Sequence, residues 1–187
     1  MKIFINPGHM VGIDSGAVNR NLGVTEAAVV LDISNLVEKY LKQAGYEVMS
    51  LQSDNLNGES PAFKNVCATA NDWGADAFVS IHCNAFNTEA RGTETLCYSV
   101  DGEGGRLAKT IHNQLMPTLK TLDSAIPDRG IKERKELTVL RRTDMPAVLV
   151  EVAFIDNEAD VKLLINKKDD IARAIARGVS DFYAWKN

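Results

Sequence analysis

Four residues stand out because their chemistry is unusual for their surroundings. Glu151 sits inside AVLVEVAF (147–154), an apolar, β-branched run bounded by Pro146 and by Asp156-Asn157. An ionised carboxylate taken out of water there is costly unless it is paired or bound to a metal. His82 ends a second apolar run, AFVSIH, and His9 follows a third, KIFIN, directly after Pro7-Gly8. Glu26 opens a helical stretch behind Thr25, an expected N-cap. Two histidines and a carboxylate at element ends are the donor types of a catalytic zinc site, which uses three protein ligands and keeps one position for water. The spacing 9, 26, 82 matches no short-range zinc pattern, and it is not HExxH, which needs one helix face. Taken singly, each residue also has a plainer reading. A lone histidine is commonly a hydrogen-bonded structural residue, and a first-turn glutamate complements the helix dipole. Glu151 has a plain alternative in an ion pair with Arg141 or Arg142. Its functional reading is a proton acceptor in a partly dry site, because zinc lowers the pKa of bound water to about 7 and a nearby carboxylate can take its proton.

Elements that would position these residues are legible in the hydropathy pattern. Strands are expected at Lys2 to Asn6, Tyr46 to Leu51, Ala77 to His82, Thr93 to Tyr98, Leu137 to Leu140 and Ala147 to Phe154. Helical spacing runs through Glu26 to Ala44, ended by Gly45, and through Phe63, Val66, Ala70 and Trp73. Further helices are expected from Arg106 to about Leu115, with Pro117 disturbing the end, and over Asn157 to Ile165 and Asp170 to Trp185. Met10 to Val24, rich in Gly and Asn, reads as a loop. Alternating strands and helices predict an α/β fold: one domain over residues 1–187, with a twisted, mostly parallel or mixed sheet of about six strands and helices on both faces. Ligands gather at the carboxyl ends of strands in such sheets, which is where His9 and His82 fall.

Composition bounds the function classes. With 45% hydrophobic residues the chain can bury a substantial core. A net charge of -4 and a pI near 5.4 argue against nucleic acid as a partner. No stretch reaches the roughly 20 apolar residues of a membrane span. MKIFINPGHM is too short for a signal peptide and reads as a first strand, so the expected routes to a target outside the cell are lysis, non-classical export or a longer precursor. Cys67, Cys83 and Cys97 form no CxxC pair and read as small buried hydrophobes, Cys83 facing away from His82. Lys132 to Lys135 with Arg141-Arg142 make a basic segment able to meet carboxylates, though a solvated face is the commoner explanation. His112 in KTIHNQL reads as a surface or satisfied structural histidine.

INPGH (5–9), TEAAVVLDIS (25–34), VSIHCNA (79–85) and AVLVEVAFIDN (147–157) occur in that order, joined by ARGTE (90–94), DRGIK (128–132) and LTVLRRTDMPAVLVE (137–151). Together they resemble the zinc-dependent N-acetylmuramoyl-L-alanine amidases, the type-3 cell-wall amidases of bacteria and phages, from about Lys2 to Leu164. The resemblance implies one Zn2+ held by His9, Glu26 and His82, with Glu151 as the catalytic glutamate of VExxFxxN and Asn84 beside the metal, shaping the substrate cleft. It implies a peptidoglycan hydrolase acting at the bacterial cell wall on the amide between the lactyl group of muramic acid and L-alanine. Because the catalytic domain takes up residues 1–187, no separate wall-binding domain is expected. Met10 and Cys83 depart from the residues usual at those places and remove no ligand. Two other classes stay open: a zinc carboxypeptidase acting on stem peptides, whose first two ligands normally share a short HxxE loop, and a non-catalytic wall-binding module. Some members of the family carry a helical insert after the strand corresponding to Thr93–Tyr98, whose own glutamate blocks the zinc until an activator acts. Here only Ser99 to Gly105 separates Tyr98 from Arg106. A turn there predicts an open site that needs no activator protein.

Overall fold

The structure, a computed structural model, describes residues 1–184. Its centre is a six-stranded sheet in the order β4-β1-β5-β8-β6-β7, built from β1 (Lys2–Pro7), β4 (Glu47–Ser50), β5 (Ala77–Asn84), β6 (Thr93–Cys97), β7 (Asp128–Glu133) and β8 (Ala147–Phe154). All neighbours are parallel except β6 and β8. Two residues each of β2 (Val18–Asn19) and β3 (Val24–Thr25) form a small hairpin inside the glycine-rich segment expected to be loop.

Helices cover both faces, unequally. On one face α1 (Glu26–Gln43), α3 (Glu103–Leu122) and α6 (Lys168–Ala184) pack their apolar stripes on Ile3, Ile5, Val79, Ile81, Val148 and Val150. Among the described residues the other face carries only α2 (Val66–Trp73) and the four-residue α4 (Thr138–Arg141), over Phe4, Phe78, Leu96 and Leu149. Phe4 and Phe78 stack there with ring centroids 5.5 Å apart. Because strand side chains alternate, Ser80 and His82 share the thinly covered face with Phe78, and Glu151 shares it with Leu149. α5 (Glu158–Asn166) completes the fold.

Several boundaries differ from the sequence reading. Leu137 to Leu140 is not a strand: Thr138–Arg141 is a helical turn, and the edge strand is β7, formed by DRGIKE. The polar β7 lacks an apolar pattern because one of its edges is unpaired. α3 starts at Glu103 and runs through Pro117 to Leu122. Proline deprives the carbonyl four residues back of its donor, but Asn113 and Pro117 both face solvent, so that carbonyl is open to water. Thr25 occupies the N-cap of α1 without a side-chain bond; Ala17 and Ser15 carbonyls take the Glu26 and Ala27 N–H groups instead. α6 begins at Lys168, and Trp185, the expected end of the last helix, lies outside the described residues.

Candidate metal centre and active site

β1 and β5 deliver the two histidines. Gly8 donates to Ile81 O at 2.9 Å, and His9 follows with φ +60. That left-handed conformation is uncommon outside glycine and turns the imidazole back across the strand ends. The contact is close: a Cβ on Gly8 would stand 2.3 Å from the His82 ring, and one on Gly16 (φ +60) would stand 2.5 Å from His9 and 2.6 Å from Glu26. Both glycines are needed because the three side chains occupy that space.

Glu26, 3% exposed, stands between the histidines. Its Oε1 accepts from Cys83 N at 3.0 Å and lies 3.0 Å from His82 Nδ1; its Oε2 accepts from Ala17 N at 2.9 Å and lies 3.1 Å from His9 Nε2. Behind His9, Asp14 Oδ2 lies 2.6 Å from Nδ1 while its Oδ1 accepts from Gly16 N. Hydrogen bonding to Glu26 raises His9 to about 9, against burial and with help from Asp14. Burial pushes the Glu26 carboxyl up, but His82 and His9 outweigh it and hold it well below the usual carboxylate range. Ligand atoms of His9, Glu26 and His82 all lie within 4.8 Å of one another. Nitrogen lone pairs and carboxylate oxygens that face each other so closely need positive charge between them, from protons or from a cation. The donor set suits zinc, and Asp14 holds His9 as carboxylates commonly hold a ligating histidine from behind. Asp14 is invisible to sequence reasoning because it is one acid in a glycine-rich loop with no periodicity to mark it.

Glu151 lies in register with His82 on β5 and with Glu94 on β6. Among the described residues neither Arg141 nor Arg142 pairs with it, and its Oε2 is buried without a hydrogen-bond partner. Burial raises its pKa to about 7; His82 opposes this, while Glu26 and Glu94 reinforce it. A group so placed can exchange a proton near neutrality. Asn84 is two residues beyond His82, on the same face. Its Nδ2 donates to Glu94 Oε1 at 3.1 Å and its Oδ1 accepts from Ala85 N. Glu94 is absent from the sequence-based candidates because its strand, TETLC, sets it between threonines and lacks the apolar run that makes Glu151 conspicuous. Burial raises its carboxyl, but Lys132 and Arg129 outweigh that and lower it.

A cleft of about 370 Å³ opens on the thinly covered face beside His9 and His82, floored by Leu137, Val139 and Leu149 and rimmed by Asp14, Asp54 and Glu59. The loop 85–92 follows β5. Asp156 Oδ2 accepts from Phe86 N and Thr88 N, while buried Asp160 accepts from Gly92 N and Arg91 Nε, so ARG of ARGTE anchors backbone rather than substrate. Because β6 is antiparallel, its carboxyl end and the start of α3 lie at the opposite end of the sheet. A Cβ on Gly104 would stand 3.0 Å from Ala147 O at the start of β8, and Glu103 pairs with Arg106.

The family model for N-acetylmuramoyl-L-alanine amidase (Amidase_3) matches residues 3–181. An endolysin of Bacillus phage SPP1 is 36% identical, over 98% of this chain and 66% of its own. The chain spans 36% to 84% of the length of the first relatives it matches. Among solved structures, the amidase AmiC2 of Nostoc punctiforme superposes with a TM-score of 0.83 at 29% identity, covering 98% of this chain and 97% of that one. The CwlD amidase of Clostridioides difficile, solved in complex with the GerS lipoprotein, gives 0.79 at 27% identity, covering 98% of each.

Proposed function

Because the chain belongs to the N-acetylmuramoyl-L-alanine amidase family, we propose that it hydrolyses peptidoglycan at the amide between the muramic acid lactyl group and L-alanine. The observation that carries the reading is the convergence of His9, Glu26 and His82 within 4.8 Å, beside a buried Glu151 oxygen with no partner. His9, Glu26 and His82 would hold one zinc ion. Zinc, when bound, supplies a Lewis acid that polarises the scissile carbonyl and acidifies water. Glu151 takes the proton of the attacking water and returns it to the departing alanine amine; one carboxylate serves both steps because the proton is only relayed. Asp14 keeps the His9 ring turned inward, and Asn84 shapes the cleft wall beyond His82.

The site acts at the cell wall, and it works without an activator. Support for the second statement comes from the position of Ser99 to Gly105 at the sheet end away from His9 and His82, where Glu103 is engaged by Arg106. No helix of the described residues is long and apolar enough to cross a membrane. The test is digestion of purified peptidoglycan by zinc-loaded protein with no added factor, with products identified by mass spectrometry. Intact stem peptides with new alanine amino termini are expected. Free terminal amino acids would instead identify a carboxypeptidase, and no product despite bound zinc and wall would leave a binding module. Activity that appears only with an added partner protein would refute the open-site reading.

A further inference from the structure

On the flank of Glu151 away from Asp54 and Glu59, three charged side chains converge. Glu94, 7% exposed, lies directly opposite Glu151 in the β6–β8 ladder. Its Oε2 accepts from Arg129 Nε at 3.1 Å and from Lys132 Nζ. Two cations on one carboxylate leave a net positive charge on these three side chains, set beside the Glu151 carboxylate.

That convergence is built by the backbone. Residues three apart on a regular strand point to opposite faces, yet Arg129 and Lys132 reach the same oxygen. β7 holds an extra residue: Thr93 pairs with Asp128, but Thr95 pairs with Ile131, and Gly130 takes φ +75 within the bulge. Such bulges re-aim side chains. β8 does the same. His82 pairs with Glu151, but Asn84 pairs with Phe154, which brings Phe154 onto the face of Glu151. The Arg129 guanidinium rests over the Phe154 ring, 5.0 Å from its centroid. Arg129 is thus anchored at Nε and by its face, while its terminal nitrogens, the fork that matches a carboxylate, bond to none of the described residues.

We propose that Arg129 and Lys132, on their Glu94 base, form a subsite for a carboxylate on the residue that follows alanine in the stem peptide, the α-carboxylate being free where that residue ends the peptide or is joined onward through its side chain. The proposal rests on the amidase reading and adds the direction in which the peptide lies. Neighbouring strands are about 4.8 Å apart and an extended peptide advances about 3.4 Å per residue. The clamp is rooted on β7 and reaches over β6, one strand spacing from Glu151 and two from His82, about 5 to 10 Å, a span that an extended peptide covers in about one and a half to three residues. The acidic flank at Asp14, Asp54 and Glu59 repels that carboxylate and suits the uncharged glycan.

The test uses two muramoyl peptides on the same short glycan, differing only in whether the second residue carries a free α-carboxyl or its carboxamide. kcat and KM are measured for both with the zinc-loaded full chain. Wild type is expected to prefer the acid by roughly ten- to hundredfold in kcat/KM, mainly through KM, and added salt shrinks the preference. Arg129→Gln and Lys132→Met each remove most of it, the acid substrate slowing far more than the amide. Arg129→Lys, which keeps charge without the fork, falls between. The wild-type preference needs no variant to fold, so the proposal stays testable if a substitution disturbs Glu94. Equal wild-type rates on the two substrates, or variants that slow both alike, overturn the subsite and leave the amidase reading standing. Cleavage of neither substrate at the muramoyl–alanine bond overturns that reading, and the subsite with it.

Discussion

On α3, His112 is 6% exposed, with Thr95 Oγ1 3.1 Å from Nδ1 and Asp128 Oδ1 2.9 Å from Nε2. At the strand ends, His9 and His82 turn one nitrogen each toward the two oxygens of Glu26, at 3.1 and 3.0 Å, with an open cleft alongside. The residue types are nearly the same. Hydroxyl, imidazole and carboxylate at the first cluster even follow the order of a hydrolytic triad. There, however, Thr95 is fully buried and both ring nitrogens are occupied. The cluster ties α3 to β6 and β7. At the second cluster three donors converge on a space that needs positive charge, and Glu151 adds a carboxylate whose buried oxygen has no partner. Unmet demand beside an opening, rather than residue type, separates a reactive site from a structural one.

The largest effect expected from breaking this contrast follows removal of a converging donor. His9→Ala or His82→Ala should lose zinc and hydrolysis together, since three ligands are near the minimum for a catalytic site. Chelation should silence the wild type and zinc should restore it, followed by metal analysis and peptide release; full activity in metal-free protein would sink the zinc assignment. Next in size, Glu151→Gln should keep zinc and melting temperature but lower the rate by about 10² to 10⁴. Loss of the metal in that variant would make Glu151 a ligand instead. The proton acceptor must be ionised, so activity falls as pH drops through its pKa. Burial sets that value at about 7 without a cation, and a bound dication stabilises the charged form. The acid limb of kcat/KM should therefore lie below pH 7 in the zinc protein and be absent in Glu151→Gln.

Smaller effects sharpen the contrast from its other side. Asp14→Asn should weaken zinc binding by roughly 10- to 100-fold, as expected for a group that orients a ligand from behind; unchanged zinc affinity by competitive chelation would refute that role. His112→Leu strands the buried Thr95 hydroxyl and should cost about 1–3 kcal/mol of stability by denaturant unfolding. Zinc content and rate per folded molecule should not change. A fall in rate at full folding would mean that His112 also serves the reaction.

Two features of the chain mislead for the same physical reason. β7 is hidden because an edge strand needs only one partner, so DRGIKE has no apolar alternation to display. Leu137 to Leu140 displays apolar residues and reads as a strand, yet Leu137 and Val139 floor the cleft from the start of a helical turn. In both cases tertiary position, not local pattern, sets the composition.

What the sequence determined by itself is considerable. Apolar runs with polar ends specify β1, β5 and β8, and the period of two fixes that His82 shares a face with Phe78 and Glu151 with Leu149. An acid inside such a run can be explained only by a partner or a site, which is why Glu151 is conspicuous from its neighbours in the chain alone. Tertiary structure decided the rest. Strand order brought residues 9, 26, 82 and 151 together across more than half the chain. The bulges in β8 and β7 placed Phe154, Arg129 and Lys132 on the site face against simple alternation. The antiparallel run of β6 carried Ser99 to Gly105 to the far end. Registers, bulges and strand directions are set by how whole elements pair. No window of the chain contains both partners, so no local reading reveals them.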